Sequence, residues 1–385
     1  MTTTKNNEHK NIKVPNLRFP EFEEEWEKQK LCDISSIVGR IGFRGYTTND
    51  IVEKGMGAIA LSPTNIVNNQ LTYDKDNTYI SMSKYEESPE IMIKRGDVIF
   101  VKTGSTVGKV AYVDKMICKT TLNPQVVVLK DIKCDNYILS VIMSTRNFQN
   151  KIQRITVGGA VPTLSQVAMG NIFISLPAAK EQEKISKFIS LLDERITTQN
   201  KIIDKLKSLI KGISKQLLIN NQNWRTVRIG ELLRIGNGKD YKHLGIGKIP
   251  VYGTGGQMLL VNDYLYDGES VCIGRKGTID TPMFLKGKFW TVDTLFYTYD
   301  FKDVLPKFCY YLFLQINWKL YNEGTGVPSL SKSTIENIKV KIPSIEQQHN
   351  ICSVLDCYEH KTKSEEQILE LYLSEKQYLL RQMFI

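Results

Sequence analysis

The chain is written twice. Gly159-Ala-Val-Pro-Thr-Leu-Ser165 runs on to Asn171-Ile-Phe-Ile-Ser-Leu-Pro177 and a long helical stretch from Lys180. Thr325-Gly-Val-Pro-Ser-Leu-Ser331 likewise runs on to Asn337-Ile-Lys-Val-Lys-Ile-Pro343 and a second helical stretch from Glu346. Pro162 and Pro328, like Pro177 and Pro343, stand 166 residues apart, so no gap interrupts that stretch. Upstream the match is looser: Trp26 and Trp224, which open the two copies, stand 198 apart, leaving the first copy about 32 residues longer before its signal. A duplication that keeps its frame while its modules drift fits two related surfaces that read two different things.

A length of 385 residues exceeds one typical core and suits two domains with connecting elements. Lys and Arg outnumber Asp and Glu by 10, an excess that favours a polyanionic partner. No apolar run approaches a spanning helix and neither long helix is a continuous basic amphipath, so nucleic acid is favoured over a membrane surface. The seven cysteines form no Cys-x-x-Cys pair and the four histidines are scattered. No zinc spacing can be assembled, and reduced thiols in the cytoplasm are expected. Residues 1–13 lack the apolar segment of a signal peptide and read as a disordered tail.

From about Pro15 to Pro177, strand-like runs alternate with glycine-bearing turns: Asp97-Val-Ile-Phe-Val101, Lys109-Val-Ala-Tyr-Val113, Gln125-Val-Val-Val-Leu129 and Ile172-Phe-Ile-Ser-Leu176. One helical stretch near 137–155 interrupts them. From Trp224 to Pro343 the scheme repeats, with strands Ser270-Val-Cys-Ile273 and Ile338-Lys-Val-Lys-Ile342 and a helix around 308–320. The expected boundaries are 14–178 and 221–344 for the modules, and 179–220 and 345–385 for the long helices. In the first helix Ile185, Phe188, Leu192, Ile196, Ile203, Leu206, Ile210, Ile213 and Leu217 fall at spacings of three and four, with Gln199 in one seam slot. An irregular step around Leu192 predicts a local unwinding of the supercoil. The second helix carries a weaker seam, Ile351, Val354, Tyr358, Leu369, Tyr372, Leu379 and Met383. Neither stripe can be buried alone in water. The expected fold is therefore α+β: two tandem mixed α/β modules separated by an antiparallel coiled coil of two long helices, related by a pseudo-twofold axis. The competing arrangement packs each helix on its own module.

Gly104-Ser-Thr-Val-Gly-Lys109 imitates a phosphate loop but has three residues between its glycines and Val110 after its lysine. The same place in the second copy reads Gly274-Arg-Lys-Gly-Thr-Ile279. Both keep a strand ending in a basic, glycine-containing turn, which can offer amides and cations to phosphates. Lys102, Ser105, Thr106 and Lys109, with Arg275, Lys276 and Thr278, are the candidates there. Tyr252 and Thr254 lie in a second glycine turn, Pro250-Val-Tyr-Gly-Thr-Gly-Gly256, which is either a tight turn or a close backbone approach to a groove. Arg40, Arg44, Lys239 and Lys242 flank early loops and either reach DNA or are solvated charges. Asn123-Pro-Gln125 has the first two residues of an amino-methyltransferase motif without the rest. No nucleophile and base, metal-ligand cluster or carboxylate pair recurs in both copies, so a shared job is binding.

Val14-Pro-Asn-Leu-Arg-Phe-Pro-Glu-Phe22 with Trp26, the two Pro-(Thr/Ser)-Leu-Ser signals, Leu176-Pro177 and Ile342-Pro343 each followed by a helix start with Gln182 or Gln348, and the Pro250–Gly256 segment resemble the DNA specificity subunit of type I restriction–modification enzymes. The resemblance implies two target recognition domains, each reading half of a split sequence in double-stranded DNA. It implies long helices that set the spacer and dock two modification subunits and, through them, restriction/motor subunits. Ile185, Leu192, Ile196, Ile203, Leu206, Ile210, Leu369, Tyr372 and Leu379 would form that coiled coil. This chain would hold no cofactor and no metal; S-adenosylmethionine, ATP and Mg would belong to the partners. Two other readings compete: a fused restriction enzyme or adenine methyltransferase with its own catalysis, and a coiled-coil scaffold that binds no nucleic acid.

Overall fold

The computed structural model describes residues 14–73, 76–159, 161–219 and 224–385. The expected tail, 1–13, lies outside them. The chain divides into two compact units, one ending at Thr197 and resuming at Glu370–Ile385, the other Thr198–Leu369. Both cuts fall inside the long helices, Ala179–Ile219 and Ile345–Gln382. The expected boundaries put those helices apart from the modules, whereas each unit holds a module plus a piece of both.

In the first unit Glu27–Lys30 pairs antiparallel with Phe173–Leu176, tying the start of the module to its end. A six-stranded sheet follows the order Ser36–Gly39, Val126–Lys130, Val98–Val101, Val110–Tyr112, Gln70–Leu71, Ile66–Val67. Val98–Val101 is buried at every position, which is why it reads as a continuous apolar run rather than an alternation. A four-stranded sheet follows the order Thr120–Leu122, Ala58–Leu61, Thr78–Ile80, Ile51–Val52. The helical stretch expected as one is two, Asn136–Ser144 and Arg146–Ile155. Thr145 separates them: it is extended, and its hydroxyl caps the second helix by accepting from the Phe148 amide at 3.4 Å.

The second unit repeats the plan. Arg225–Arg228 pairs with Lys339–Ile342, and one six-stranded sheet runs Arg234–Asn237, Leu295–Tyr299, Tyr266–Gly274, Met283–Thr291, Ile246–Gly253, Gly256–Val261. Its helix is Pro306–Gln315, followed by a 3-10 turn at Trp318–Tyr321.

Within each unit the two long helices run antiparallel. In the first, Ile185, Ile189 and Leu192 share one core with Leu379, Met383, Phe384 and the module's strands. In the second, Leu218 lies in one core with Ile351, Cys352, Leu355 and that module. Helix-on-helix and helix-on-module packing therefore coexist. The seam differs from the expectation at two places. Ile189 is fully buried while Phe188 is 39% exposed, set edge-on to Phe19. Leu355 is fully buried while Val354 is 44% exposed. With those replacements the first seam steps 185, 189, 192, 196, 199, 203, 206, 210 in strict alternation of four and three, and the irregular step at Leu192 disappears. Polar seam positions are paired: Lys376 with Asp193, and Gln199 Nε2 with the Glu365 carbonyl at 2.9 Å and carboxylate at 2.6 Å. Gln199 and Glu365 stand 166 apart, so each helix meets the other at its own repeat position.

The repeated glutamines are latches. Gln182 accepts from the Asp135 amide at 2.8 Å and donates to Pro177 O at 2.8 Å. Gln348, fully buried, accepts from the Leu305 amide at 2.8 Å and donates to Asp303 O and Pro343 O at 2.9 and 3.1 Å. The first copy adds a strap ahead of its tryptophan. Arg18 grips the buried Glu181 through Nε and one terminal nitrogen, both at 2.7 Å, and the Leu17 amide donates to Gln382 O at 2.9 Å.

Replacing Gln348 by alanine strands a buried amide and two carbonyls, so Gln348→Ala lowers the stability of the second unit by about 2–4 kcal/mol. A fall in the urea midpoint, followed by tryptophan fluorescence, measures it. Gln347→Ala, one residue away and exposed, leaves the midpoint in place.

Candidate nucleic-acid interface

In each unit several segments converge on one short stretch of backbone. In the second it is Thr291-Val-Asp-Thr294. Thr291 O accepts the Lys239 amide at 2.9 Å, the Val292 amide donates to Tyr252 O at 3.0 Å, and Thr294 O accepts the amides of Arg275 and Lys276 at 2.8 and 3.3 Å. In the first unit Leu122-Asn-Pro-Gln125 takes this place. The Asn123 amide donates to Leu61 O at 2.9 Å, and Gln125 O accepts the amides of Lys102 and Thr103 at 2.9 and 3.3 Å. Parallel pairings, Leu122 beside Leu61 and Thr291 beside Tyr252, underlie both arrangements. Asn123-Pro-Gln125 is thus a turn that holds the basic loop, with Asn123 Oδ1 accepting the Gln125 amide at 2.9 Å.

The repeated Pro-(Thr/Ser)-Leu-Ser signal clamps the same loop from the other side. The Gly104 amide donates to Pro162 O at 2.9 Å and the Leu164 amide to Lys102 O at 2.8 Å. In the second copy the Gly277 amide donates to Pro328 O and the Leu330 amide to Arg275 O, both at 2.9 Å. Ser165 and Ser331 then cap the helices Gln166–Gly170 and Lys332–Asn337. Gly104 and Gly277 have φ of 104° and 90°, the left-handed region that glycine enters without a Cβ penalty. Every bond of the clamp is main chain to main chain, so the turn's side chains are left outside it.

The structure distributes the predicted residues unevenly. Arg275, Lys276 and Thr278 are exposed on the clamped turn, as are Lys239 and Lys242 on a neighbouring loop. Thr254 adjoins the turn, its hydroxyl 3.7 Å from where a Cβ on Gly277 would stand. Tyr252 is half-buried against the cluster of Cys272, Leu285, Phe289 and Leu295. Lys242 lines a cleft with Met258, Val292 and Asp293. In the first unit Ser105 is exposed and Lys102 and Thr106 half-buried on the equivalent turn. Lys109 is exposed, with Nζ 3.3 Å from Ile66 O, and a strand, Val110–Tyr112, follows it instead of the helix a phosphate loop requires.

Arg40 is a correction. It is 4% exposed, and its guanidinium is spent on Leu122 O at 2.8 Å, Thr121 Oγ1 at 3.1 Å and Arg44 O at 3.1 Å. Burial lowers its pKa from the ordinary guanidinium value. It braces the crossing segment from within and presents nothing outward. Arg44 is half-buried, with the Glu87 carbonyl at 3.4 Å and Glu90 at 3.5 Å. The nine coiled-coil positions, Ile185, Leu192, Ile196, Ile203, Leu206, Ile210, Leu369, Tyr372 and Leu379, are all buried or half-buried along the seam. Being occupied within the chain, they leave any docking surface to the outer helix faces.

Asp293 and the crossing segment as a whole escaped the sequence reading, since the two copies share its position but no residue type. The signal that points to it is its place directly before the strands Val126–Lys130 and Leu295–Tyr299. Among the described residues no group of three or more His, Cys, Asp or Glu could hold a metal ion.

A family model described as the type I restriction modification DNA specificity domain matches residues 23–208 and again 221–371. The chain is 24% identical over 336 residues to the type I restriction enzyme MjaVIII specificity subunit of Methanocaldococcus jannaschii, covering 72% of this chain and 77% of that one. A putative type I restriction enzyme MjaX specificity subunit of the same organism is 25% identical over 406 aligned residues, 90% of this chain and 91% of that one. Among solved structures, a type I restriction–modification S subunit from M. genitalium superposes with a TM-score of 0.61 at 15% identity, over 97% of this chain and 99% of that one; that likeness speaks for the fold alone. The two matched stretches coincide with the two copies and together span most of the sequence, and the chain belongs to the type I restriction–modification DNA specificity family.

Proposed function

We propose that this chain is the address reader of a type I restriction–modification complex, a non-catalytic subunit in which each module reads one half of a bipartite sequence in double-stranded DNA. The observation that carries the reading is the duplicated clamp. One main-chain scaffold displays Lys102, Ser105 and Thr106 in one module and Arg275, Lys276 and Thr278 in the other, so the same geometry presents different chemistry to two half-sites. A fused enzyme and a coiled-coil scaffold without DNA find no support in the family match. Its partners in this reading are two modification subunits and, through them, restriction/motor subunits, which supply S-adenosylmethionine, ATP and Mg. Cytoplasm is the compartment where DNA and these partners meet. No described helix is long and apolar enough to cross a membrane.

Three outcomes follow. The purified chain transfers no methyl group from S-adenosylmethionine to DNA, and gains the activity on mixing with modification subunits; transfer by the chain alone, surviving removal of contaminants, contradicts the reading. Replacing Arg275 and Lys276, or Lys102 and Lys109, by alanine weakens DNA binding and flattens its salt dependence by roughly one log–log unit per lost phosphate contact. Titrations at several salt concentrations measure this, and an unchanged slope in a folded variant would remove these turns from the interface. The long helices set the spacer. Matched seven-residue insertions after Gln199 and after Glu365 lie opposite each other and add about 10 Å of helix. At about 3.4 Å per base pair, methylome mapping should find a spacer longer by one to about three base pairs, with both half-sites unchanged.

A further inference from the structure

Val161 and Val327 also stand 166 residues apart, and they are 58% and 63% exposed. Each sits on a loop closed upon itself. In the first, Val157 and Thr163 exchange amide-to-carbonyl bonds at 3.0 and 2.8 Å. In the second, the Glu323 amide donates to Ser329 O at 2.9 Å, and Asn322 Oδ1 accepts the amides of Gly324 and Ser329 at 3.0 and 2.8 Å. Both loops fold back on a glycine: a Cβ on Gly158 would stand 2.6 Å from Val161 O, and one on Gly324 2.1 Å from Val327 O. The next residue in each case is the proline whose carbonyl clamps the basic turn.

A single exposed valine is ordinary on any protein surface. Two at the same position of modules that have drifted elsewhere, on braced loops bonded to the turns that face DNA, are a shared device. Valine cannot hydrogen-bond, and the feature of a major-groove base edge that an aliphatic side chain can recognise is the thymine methyl group. A loop already closed by its own hydrogen bonds loses little freedom on contact. We propose that Val161 and Val327 are specificity residues, each seated against the 5-methyl group of one thymine in the half-site its module reads. This rests on the DNA-reading role proposed above.

A β-branched residue before proline also suits the extended backbone there, so the test must read something that a backbone role does not move. Target duplexes are selected from a random pool by the full chain with its modification subunits. Each dT in the target is then replaced singly by dU, which lacks only the methyl group. One such replacement in one half-site weakens wild-type binding about four-fold, the worth of one buried methyl, and has no effect on Val161→Ala. A dT in the other half-site behaves in the same way toward Val327→Ala. The salt slopes stay at the wild-type value. A dU effect undiminished in both alanine variants, half-sites without thymine, or a loss of affinity equal on all sequences overturns the proposal. Selection of no sequence by the wild-type protein overturns the reading beneath it as well, which the Arg275 and Lys276 double variant reports separately through its salt slope.

Discussion

Burial of the helix stripes is the constraint on which each unit depends. Ile185, Ile189 and Leu192 cannot hide their apolar faces in an isolated helix. They do so by entering a core that also takes in Trp26, the strand Val126–Lys130 and the far end of the other long helix, where Phe384 stands edge-on to Trp26. Leu218, Ile351 and Leu355 meet the same need in the second unit. The buried hydrogen bonds are built around this packing. Gln182 and Gln348 fasten helix starts to the loops before Asn136 and Pro306, and Tyr137 donates to Asp193 at 2.7 Å at the place where the second copy pairs Lys307 with Glu359 at 2.7 Å. Burial, and after it the Asp193 carboxylate, pushes the Tyr137 phenol far above its ordinary pKa, keeping it a donor.

How much of this can be read from residues alone depends on whether a feature is periodic. The repeat, the strand runs and the two seams are periodic, and they are legible. Phe188 and Ile189 are adjacent and both apolar, so spacing cannot say which of them faces inward. Packing decides, because Phe19 offers Phe188 an edge contact outside the seam. Val354 and Leu355 pose the same ambiguity. Arg40 shows the opposite limit: a cation beside a glycine looks like a surface contact until the carbonyl of Leu122, 82 residues later, accepts its Nε hydrogen bond. The clamps were legible only as a repeated motif, since main-chain hydrogen bonds leave no mark on residue type beyond the glycine and proline they need.

That separation has a use. Amide and carbonyl partners are the same whatever side chain they carry, so Lys102 and Arg275 can occupy one position of one scaffold, and Asp293 can stand where the other copy has Pro124, without disturbing the bonds around them. The side chains of the turn can vary while the bonds that shape it stay the same.

The interrupted first unit also bears on how the protein is made. Its core needs residues 370–385, which leave the ribosome after the whole of the second unit. At a synthesis rate of about 5–20 residues per second, residues up to Thr197 wait roughly 10–40 s before Leu379, Met383 and Phe384 can join the core that Ile185, Ile189 and Leu192 share with the module. A nonsense or frameshift mutation anywhere between Thr198 and Leu369 removes the closing segment of the first unit, although every residue up to Thr197 has already been translated.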